Sequence, residues 1–345
     1  MYLNNKKIKI AILGDGGWGT TLAILLSKKG HSVSLWGAFS DNILKIKQLR
    51  ENHKFLPGIK IPKSIILTDK ISHAILNKDL IVLATPSEHI RRILRAIKKD
   101  IAFNRTKPVY LSVVKGIEAK GLKRISEVII EELGRVKLAV LSGPTIAYEV
   151  ANNIPTVAVV ASKDKLLRKF VQDIFITERF RVYTNNDILG VELGGSLKNV
   201  IAIACGASDG LKFGANTKAA ILARGLAEIS RLGKAMGAKQ NTFSGISGLG
   251  DLVTTCFSPH SRNRFVGEEL GKGQPLVKIL KALSSSTKKH SGIAEGIPTA
   301  KSAYLLSLKY KVDMPIVREV YNVLYRNKSA LKAVRDLMTR NKKEE

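Results

Sequence analysis

The stretch Ile8-Lys9-Ile10-Ala11-Ile12-Leu13-Gly14-Asp15-Gly16-Gly17-Trp18-Gly19 opens the chain's ordered pattern. Ile8 to Leu13 reads as a short apolar strand. Thr20 to Lys29 reads as a helix with Leu22, Leu25 and Leu26 on one side, ended by Gly30. Between them Gly14, Gly16 and Gly19 fit G-x-G-x-x-G. Glycine permits the tight turn, and its missing side chain lets a pyrophosphate reach the backbone. The helix N-terminus then offers free N–H groups and the positive end of its dipole. The alternative is a plain strand-to-helix turn. The following strand, Val33 to Trp36, favours a dinucleotide site holding Gly14, Gly16, Gly17, Trp18 and Gly19.

Further along, the same alternation continues. Leu80 to Ala84, Val109 to Val114 and Leu138 to Leu141 read as strands, with Thr156 to Val160 and Phe180 to Tyr183 completing the set. Ile90 to Ile97 and Ile125 to Leu133 read as helices. Apolar runs without period-two alternation, separated by amphipathic helices, indicate a parallel sheet covered on both faces. After Asn186 strand-like runs stop. Ile188 to Cys205, Lys218 to Met236, Pro275 to Leu283, Thr299 to Leu308, Ile316 to Tyr325 and Ser329 to Met338 carry helical periodicity. The fold expected is an α/β N-terminal Rossmann-like domain with a mostly parallel sheet, residues 1–186. An all-α C-terminal domain, residues 187–345, is expected to follow it.

Composition narrows the classes. The 345 residues are 45% hydrophobic and 25% charged, as a globular chain is, which excludes wholesale disorder. Two cysteines, Cys205 and Cys256, exclude a disulfide scaffold and suggest a reducing, cytoplasmic setting. The apolar run at residues 8–13 is too short for a signal peptide, and no segment is expected to span a membrane. Lys and Arg number 57 against 28 Asp and Glu, a net charge of +29. The basic residues come as scattered pairs (Lys28-Lys29, Lys98-Lys99, Lys288-Lys289, Lys342-Lys343) without interleaved aromatics. That pattern speaks for anionic small molecules rather than nucleic acid.

Candidate chemistry follows the strand ends and one helix. Lys115, with Gly116, follows Val109 to Val114, and ligands of open α/β sheets bind beyond such ends. Ser142-Gly143-Pro144-Thr145 follows the strand ending at Leu141; it can present N–H groups to a ligand, or Thr145 can cap a helix. Lys198 lies on a helix where Gly194, Gly195 and Ala202, three or four residues away, leave room beside it. Burial and a second cation such as Lys115 would lower its pKa and suit it to acid/base work. A snorkelling lysine is the rival reading. Gly245 to Thr255 reads as a glycine-rich loop presenting Asp251, which orients Lys198, binds a substrate hydroxyl or caps the next helix. Ser261-Arg262-Asn263-Arg264 offers donors suited to phosphate, or a surface basic pair. Cys256 with His260 lacks a third catalytic member. Cys205, Cys256, His260 and His290 lack ligand spacing, so no metal is expected.

Taken in order, these motifs, with Ser142 to Ala147, Gly190 to Asn199, Gly248 to Cys256 and Ala294-Glu295-Gly296, make a chain that resembles the NAD(P)-dependent glycerol-3-phosphate dehydrogenases of the bacterial biosynthetic type. The resemblance covers nearly the whole chain. It implies reversible hydride transfer between sn-glycerol 3-phosphate and dihydroxyacetone phosphate with NAD(P)H, supplying glycerol 3-phosphate for phospholipid synthesis, by a homodimer. It places catalysis on Lys198, Lys115 and Asp251. It places substrate contacts on Lys115, Gly143, Thr145, Lys198, Asp251, Ser261, Arg262 and Asn263. Cofactor contacts fall on the glycine loop with Lys115, Ala147, Arg262, Ile293 and Glu295. Asp251 and Asn199 would hold the lysine, and Arg262 with Asn263 would grip the phosphate. Where relatives carry His or Arg after the second strand, this chain has Ala38 and Phe39, which leaves NADH against NADPH open. The rivals are another two-domain dehydrogenase and a nucleotide sensor without turnover.

Overall fold

The computed structural model describes residues 7–101, 107–284, 292–342 and 344. Lys288, Lys289, His290 and Lys343 of the sequence reading lie outside the described residues. The chain divides into two compact units: Met1–Lys115 with Lys123–Glu192, and Gly116–Leu122 with Leu193–Glu345.

Among the described residues the first unit has ten strands: β1 (Lys9–Leu13), β2 (Ser32–Trp36), β3 (Glu51–Asn52), β4 (Leu56–Lys60), β5 (Ile66–Thr68), β6 (Leu80–Leu83), β7 (Val109–Ser112), β8 (Leu138–Ser142), β9 (Thr156–Ala161) and β10 (Phe180–Asn185). Eight of them form one sheet in the order β10-β9-β8-β7-β6-β1-β2-β5. All neighbours run parallel except β8 and β9. The helices of this unit are α1 (Gly17–Lys28), α2 (Ser40–Leu49), α3 (Ile71–Ile75), α4 (Ile90–Ile101), α5 (Ile125–Leu133), α6 (Ala147–Ala151) and α7 (Lys165–Phe175).

The absence of period-two alternation in the strands now has its cause. In β1, Ile10 and Ile12 enter a core with Leu22, Leu26, Val171 and Phe175. Ala11 and Leu13 enter another with Ile90, Leu94, Val128 and Ile129. Each face of the sheet is thus sealed by its own helices, so a central strand carries apolar residues toward both faces. Cutting Ile12 to Ala would cost about 2–5 kcal/mol.

β1 pairs with β2 on one side and β6 on the other. The chain order reverses at β1, so Gly14 sits at the switch point where such sheets bind ligands. The sequence reading missed β5, three residues long, and the β3–β4 hairpin. Segments of two or three residues, or one carrying Pro57 and Gly58, have no periodicity to detect.

The second unit is helical. Its elements are α8 (Ile188–Gly210, whose first turn belongs to the first unit), α9 (Ala215–Met236), α10 (Gln240–Phe243), α11 (Asp251–Phe257), α12 (Arg262–Gly271), α13 (Leu276–Ser284), α14 (Gly296–Lys309), α15 (Pro315–Tyr325) and α16 (Ala330–Met338). A π-helical turn, Ile246–Gly250, leads into α11 where a glycine-rich loop was expected. α8 bears on the expectation that no segment spans a membrane. Within its 23 residues lies an 18-residue stretch apolar enough to cross one, with mean hydropathy 1.5, yet 83% of that stretch is buried inside the protein. It is a core helix by position.

α8 and α12 touch through glycines. A Cβ on Gly206 would lie 1.9 Å from the Arg264 carbonyl oxygen, and one on Gly267 would lie 1.9 Å from that of Ile203. One turn on, Gly210 and Gly271 repeat the arrangement against Glu268 and Ala207. Backbone lies on backbone at this crossing, and only glycine leaves the space.

Candidate active site

The nucleotide loop is shaped by two steric demands. Gly14 has φ +129°, and a Cβ there would lie 2.5 Å from the Ala84 carbonyl oxygen at the end of β6. A Cβ on Gly19 would lie 1.9 Å from the Gly14 oxygen, so α1 packs directly on the turn that precedes it. Gly16 differs: nothing lies within 4 Å of its Cβ position. It is the N-cap of α1, and no side chain caps that 12-residue helix. The open cradle fits a pyrophosphate, which needs close approach to backbone and uncapped N–H groups. Trp18 adds a buried indole N–H with no hydrogen-bond partner.

Residues outside the motif hold this loop. Asn52 donates to the Asp15 carbonyl (2.6 Å) and to Thr20 Oγ1 (2.9 Å). The Phe55 carbonyl oxygen lies 2.7 Å from the Cβ position of Gly17, and the Ala147 methyl lies 3.6 Å from it. Thr21 Oγ1 donates to the Ala147 carbonyl at 3.0 Å. Ala147 therefore stands beside the loop. Asn52 and Phe55 went unread because they act through a hairpin too short to announce itself.

At the neighbouring strand ends the structure brings Lys115, Gly143 and Thr145 together. Lys115 Nζ donates to the Gly143 carbonyl (2.8 Å) and to Thr145 Oγ1 (3.3 Å). Thr145 is not the N-cap of α6; Ile146 is, without a side-chain cap. Lys115 belongs to the first unit and Lys198 to the second.

Lys198 is 5% exposed, which removes the snorkelling alternative. Its Nζ donates to Asp251 Oδ1 and, at 2.8 Å, to Thr255 Oγ1. Thr255 Oγ1 donates in turn to the Asp251 carbonyl at 2.7 Å. Asp251 is the first residue of α11 and is 1% exposed; Gly250 is the N-cap. A buried ammonium thus has a buried counter-charge and a hydroxyl, an arrangement that fixes the position of a proton donor. Gly194 shows why small residues flank the lysine: its Cβ would lie 2.7 Å from the Ser247 oxygen of the π-turn. Thr255 was missed because nothing local links it to Lys198, 57 positions away.

Asn199 faces another partner. Its Oδ1 accepts from Asn263 Nδ2 at 2.9 Å, and Asn263 Oδ1 accepts from the Gly296 N–H at 2.9 Å. Both ends of the Asn263 amide are used in joining α8 to the start of α14. Ser261 caps α12, its Oγ accepting from Arg264 N–H at 3.2 Å. Arg264 is no surface pair: its Nε donates to Asp209 at 2.7 Å. Arg262 is exposed, and its Nη1 lies 2.5 Å from the Cβ position of Gly292, whose φ is +119°. Ile293 is 38% exposed. Glu295 lies within electrostatic range of Arg262. Cys205 and Cys256 are free and buried, and the Cys256 thiol is pushed up by its hydrogen bond with Cys205 and by burial. Such a thiol is a poor nucleophile.

A glycine phosphate loop at the switch point of a doubly wound sheet, with a helical unit carrying a buried Lys–Asp–Thr cluster, defines a nucleotide-dependent dehydrogenase. Comparison with known proteins supplies the family. The model of the NAD-dependent glycerol-3-phosphate dehydrogenase N-terminus matches residues 9–167, and that of the C-terminus residues 187–335. Glycerol-3-phosphate dehydrogenase (NAD(P)+) of Fusobacterium nucleatum is 46% identical over 338 residues, covering 97% of this chain and 98% of its own. That of Prosthecochloris aestuarii is 47% identical over 339 residues, 97% and 99% of the two chains. The crystal structure of the Coxiella burnetii glycerol-3-phosphate dehydrogenase superposes with TM-score 0.91 at 36% identity, over 97% and 99% of the chains. The chain belongs to the NAD-dependent glycerol-3-phosphate dehydrogenase family.

Proposed function

We propose that the protein interconverts sn-glycerol 3-phosphate and dihydroxyacetone phosphate with NAD(P)H, in the cytoplasm and as a homodimer, and so feeds phospholipid synthesis. The observation that carries this reading is the buried Lys198 held by Asp251 and Thr255, in a chain aligned end to end with relatives named for that reaction. Nucleotide binding is assigned to residues 1–186 and substrate binding to residues 187–345.

The loop Gly14 to Gly19 and Ala147 would seat the dinucleotide, and Ile293, Glu295 and Arg262 would complete its site. When bound, the reduced nicotinamide supplies the hydride. Lys198, as ammonium, gives its proton to the oxygen that becomes the alcohol. Asp251 balances the ammonium's charge and Thr255 fixes its direction. Lys115 adds positive charge where the oxyanion develops, with Gly143 and Thr145 holding its side chain in place. Arg262, with Ser261 and Asn263 at the same helix start, binds the phosphate, so that remote binding energy positions the carbonyl.

Oxidation of NADH and NADPH should depend on added dihydroxyacetone phosphate. Lys198→Ala should lose about 10²–10⁴ in turnover, the range for a general acid, while calorimetry still detects dinucleotide binding. Undiminished turnover in that variant would remove Lys198 from the mechanism.

A further inference from the structure

In sites of this class an acid at the end of the second strand accepts hydrogen bonds from the adenosine ribose when NAD is preferred. β2 ends at Trp36 and is followed by Gly37-Ala38-Phe39-Ser40-Asp41, without an acid at its first positions. The structure places one there from elsewhere in the chain. The Cγ and Oδ2 of Asp15 lie 2.5 Å from the Cβ position of Gly37, so this carboxylate rests on the backbone just beyond β2. Asn42 Nδ2, from α2, donates to Asp15 Oδ2 at 2.6 Å.

The carboxylate is 8% exposed, and burial raises its pKa while the Asn42 bond and Lys54 oppose the rise. A second carboxylate borders the same turn: Ser40 Oγ donates to Asp69 Oδ2 at 2.7 Å, and Trp36 Nε1 donates to the Asp69 carbonyl at 3.0 Å. The cations in range are Lys54 for Asp15, and Lys47 and Lys70 for Asp69. All three are exposed, and water and salt screen them.

We infer that Asp15, from within the glycine loop, is the specificity-determining acid of the adenosine end and selects NADH over NADPH. The inference rests on the dehydrogenase reading above. A fixed carboxylate accepts from ribose hydroxyls and repels a 2′-phosphate, and like charges so placed are costly. Gly37 is part of the device. Any side chain there would collide with Asp15 and with Ile43 Cδ1, 2.7 Å from the Cβ position, so a basic residue at 37 is excluded while Asp15 stands.

Calorimetric binding of NADH and NADPH to the full-length protein tests this without turnover. The wild type should bind NADH at least about tenfold more tightly, the discrimination worth one charge contact of modest strength. Asp15→Asn should cut that ratio by about tenfold, and so should Ala38→Arg at an exposed position, by tightening NADPH. Equal or tighter NADPH binding by the wild type overturns the inference. So does an unchanged ratio in a folded Asp15→Asn variant, checked by its thermal transition. If that variant does not fold, the wild-type ratio and Ala38→Arg decide. If the folded wild type binds neither dinucleotide, the dehydrogenase reading itself falls.

Discussion

Thr255 makes two bonds at once, accepting from Lys198 and donating to the carbonyl of Asp251. Thr255→Val keeps the shape and removes both. Turnover should fall about tenfold while the dinucleotide Kd stays unchanged, a loss in line with one removed hydrogen bond to a charged group. A matching rise in Kd would assign Thr255 to binding instead. Glu228 offers a test away from the chemistry. It accepts from the N–H groups of Ile316 (2.7 Å) and Val317 (3.1 Å) at the start of α15, and burial pushes its carboxyl up to about 7 from an ordinary 4.5. Between those pH values the folded chain keeps a proton that the unfolded chain has released. Stability from this group is therefore complete below the lower value and lost as pH rises to the upper, by about 3 kcal/mol. Glu228→Gln should remove that slope, so urea unfolding should show the variant gaining on the wild type between pH 4.5 and pH 8. A gap that does not move with pH would refute the shift. Of these residues Lys198 was legible, because three small neighbours at helical spacing leave room for a close approach beside it. Thr255 and Glu228 act on partners far away in sequence and left no local trace.

Among the helices, α8 and α12 meet backbone to backbone. Gly206 and Gly210 lie against the backbone of α12, and Gly267 and Gly271 against that of α8, each pair one turn apart. The joint brings Asn263, at the start of α12, to Asn199 on α8. Gly206→Ala should destabilise the protein by about 1–3 kcal/mol, the range for an overfilled core, and should raise the KM for the phosphorylated substrate. A variant as stable as the wild type would mean that the joint yields easily. Most long elements could be read from periodicity, since an apolar face repeated over several turns is a strong signal. The parallel sheet could be read because both its faces are covered. The β3–β4 hairpin, β5 and the π-turn could not, being shorter than the period that reveals them. Their effects are nonetheless large: the hairpin supplies Asn52 to the nucleotide loop, and the π-turn brings Ser247 against Gly194.

Across the whole chain the excess of basic residues sets the long-range field. A net charge of +29 should draw dinucleotides and sugar phosphates toward the protein. kcat/KM should therefore fall severalfold, roughly, between low salt and a salt level where the Debye length is about 3–5 Å. A flat profile would leave the charge to solubility alone. The division of the chain has a different consequence. The second unit includes residues 116–122, and it uses them: Ser196 Oγ donates to the Gly116 carbonyl at 3.2 Å and Ser302 Oγ to that of Ile117 at 3.5 Å. A gene fragment encoding only the helical half would be made without that seven-residue strip and would lose both contacts. Expressed alone it should be aggregation-prone, and a synthetic peptide of sequence 116–122 added in trans should partly rescue its yield.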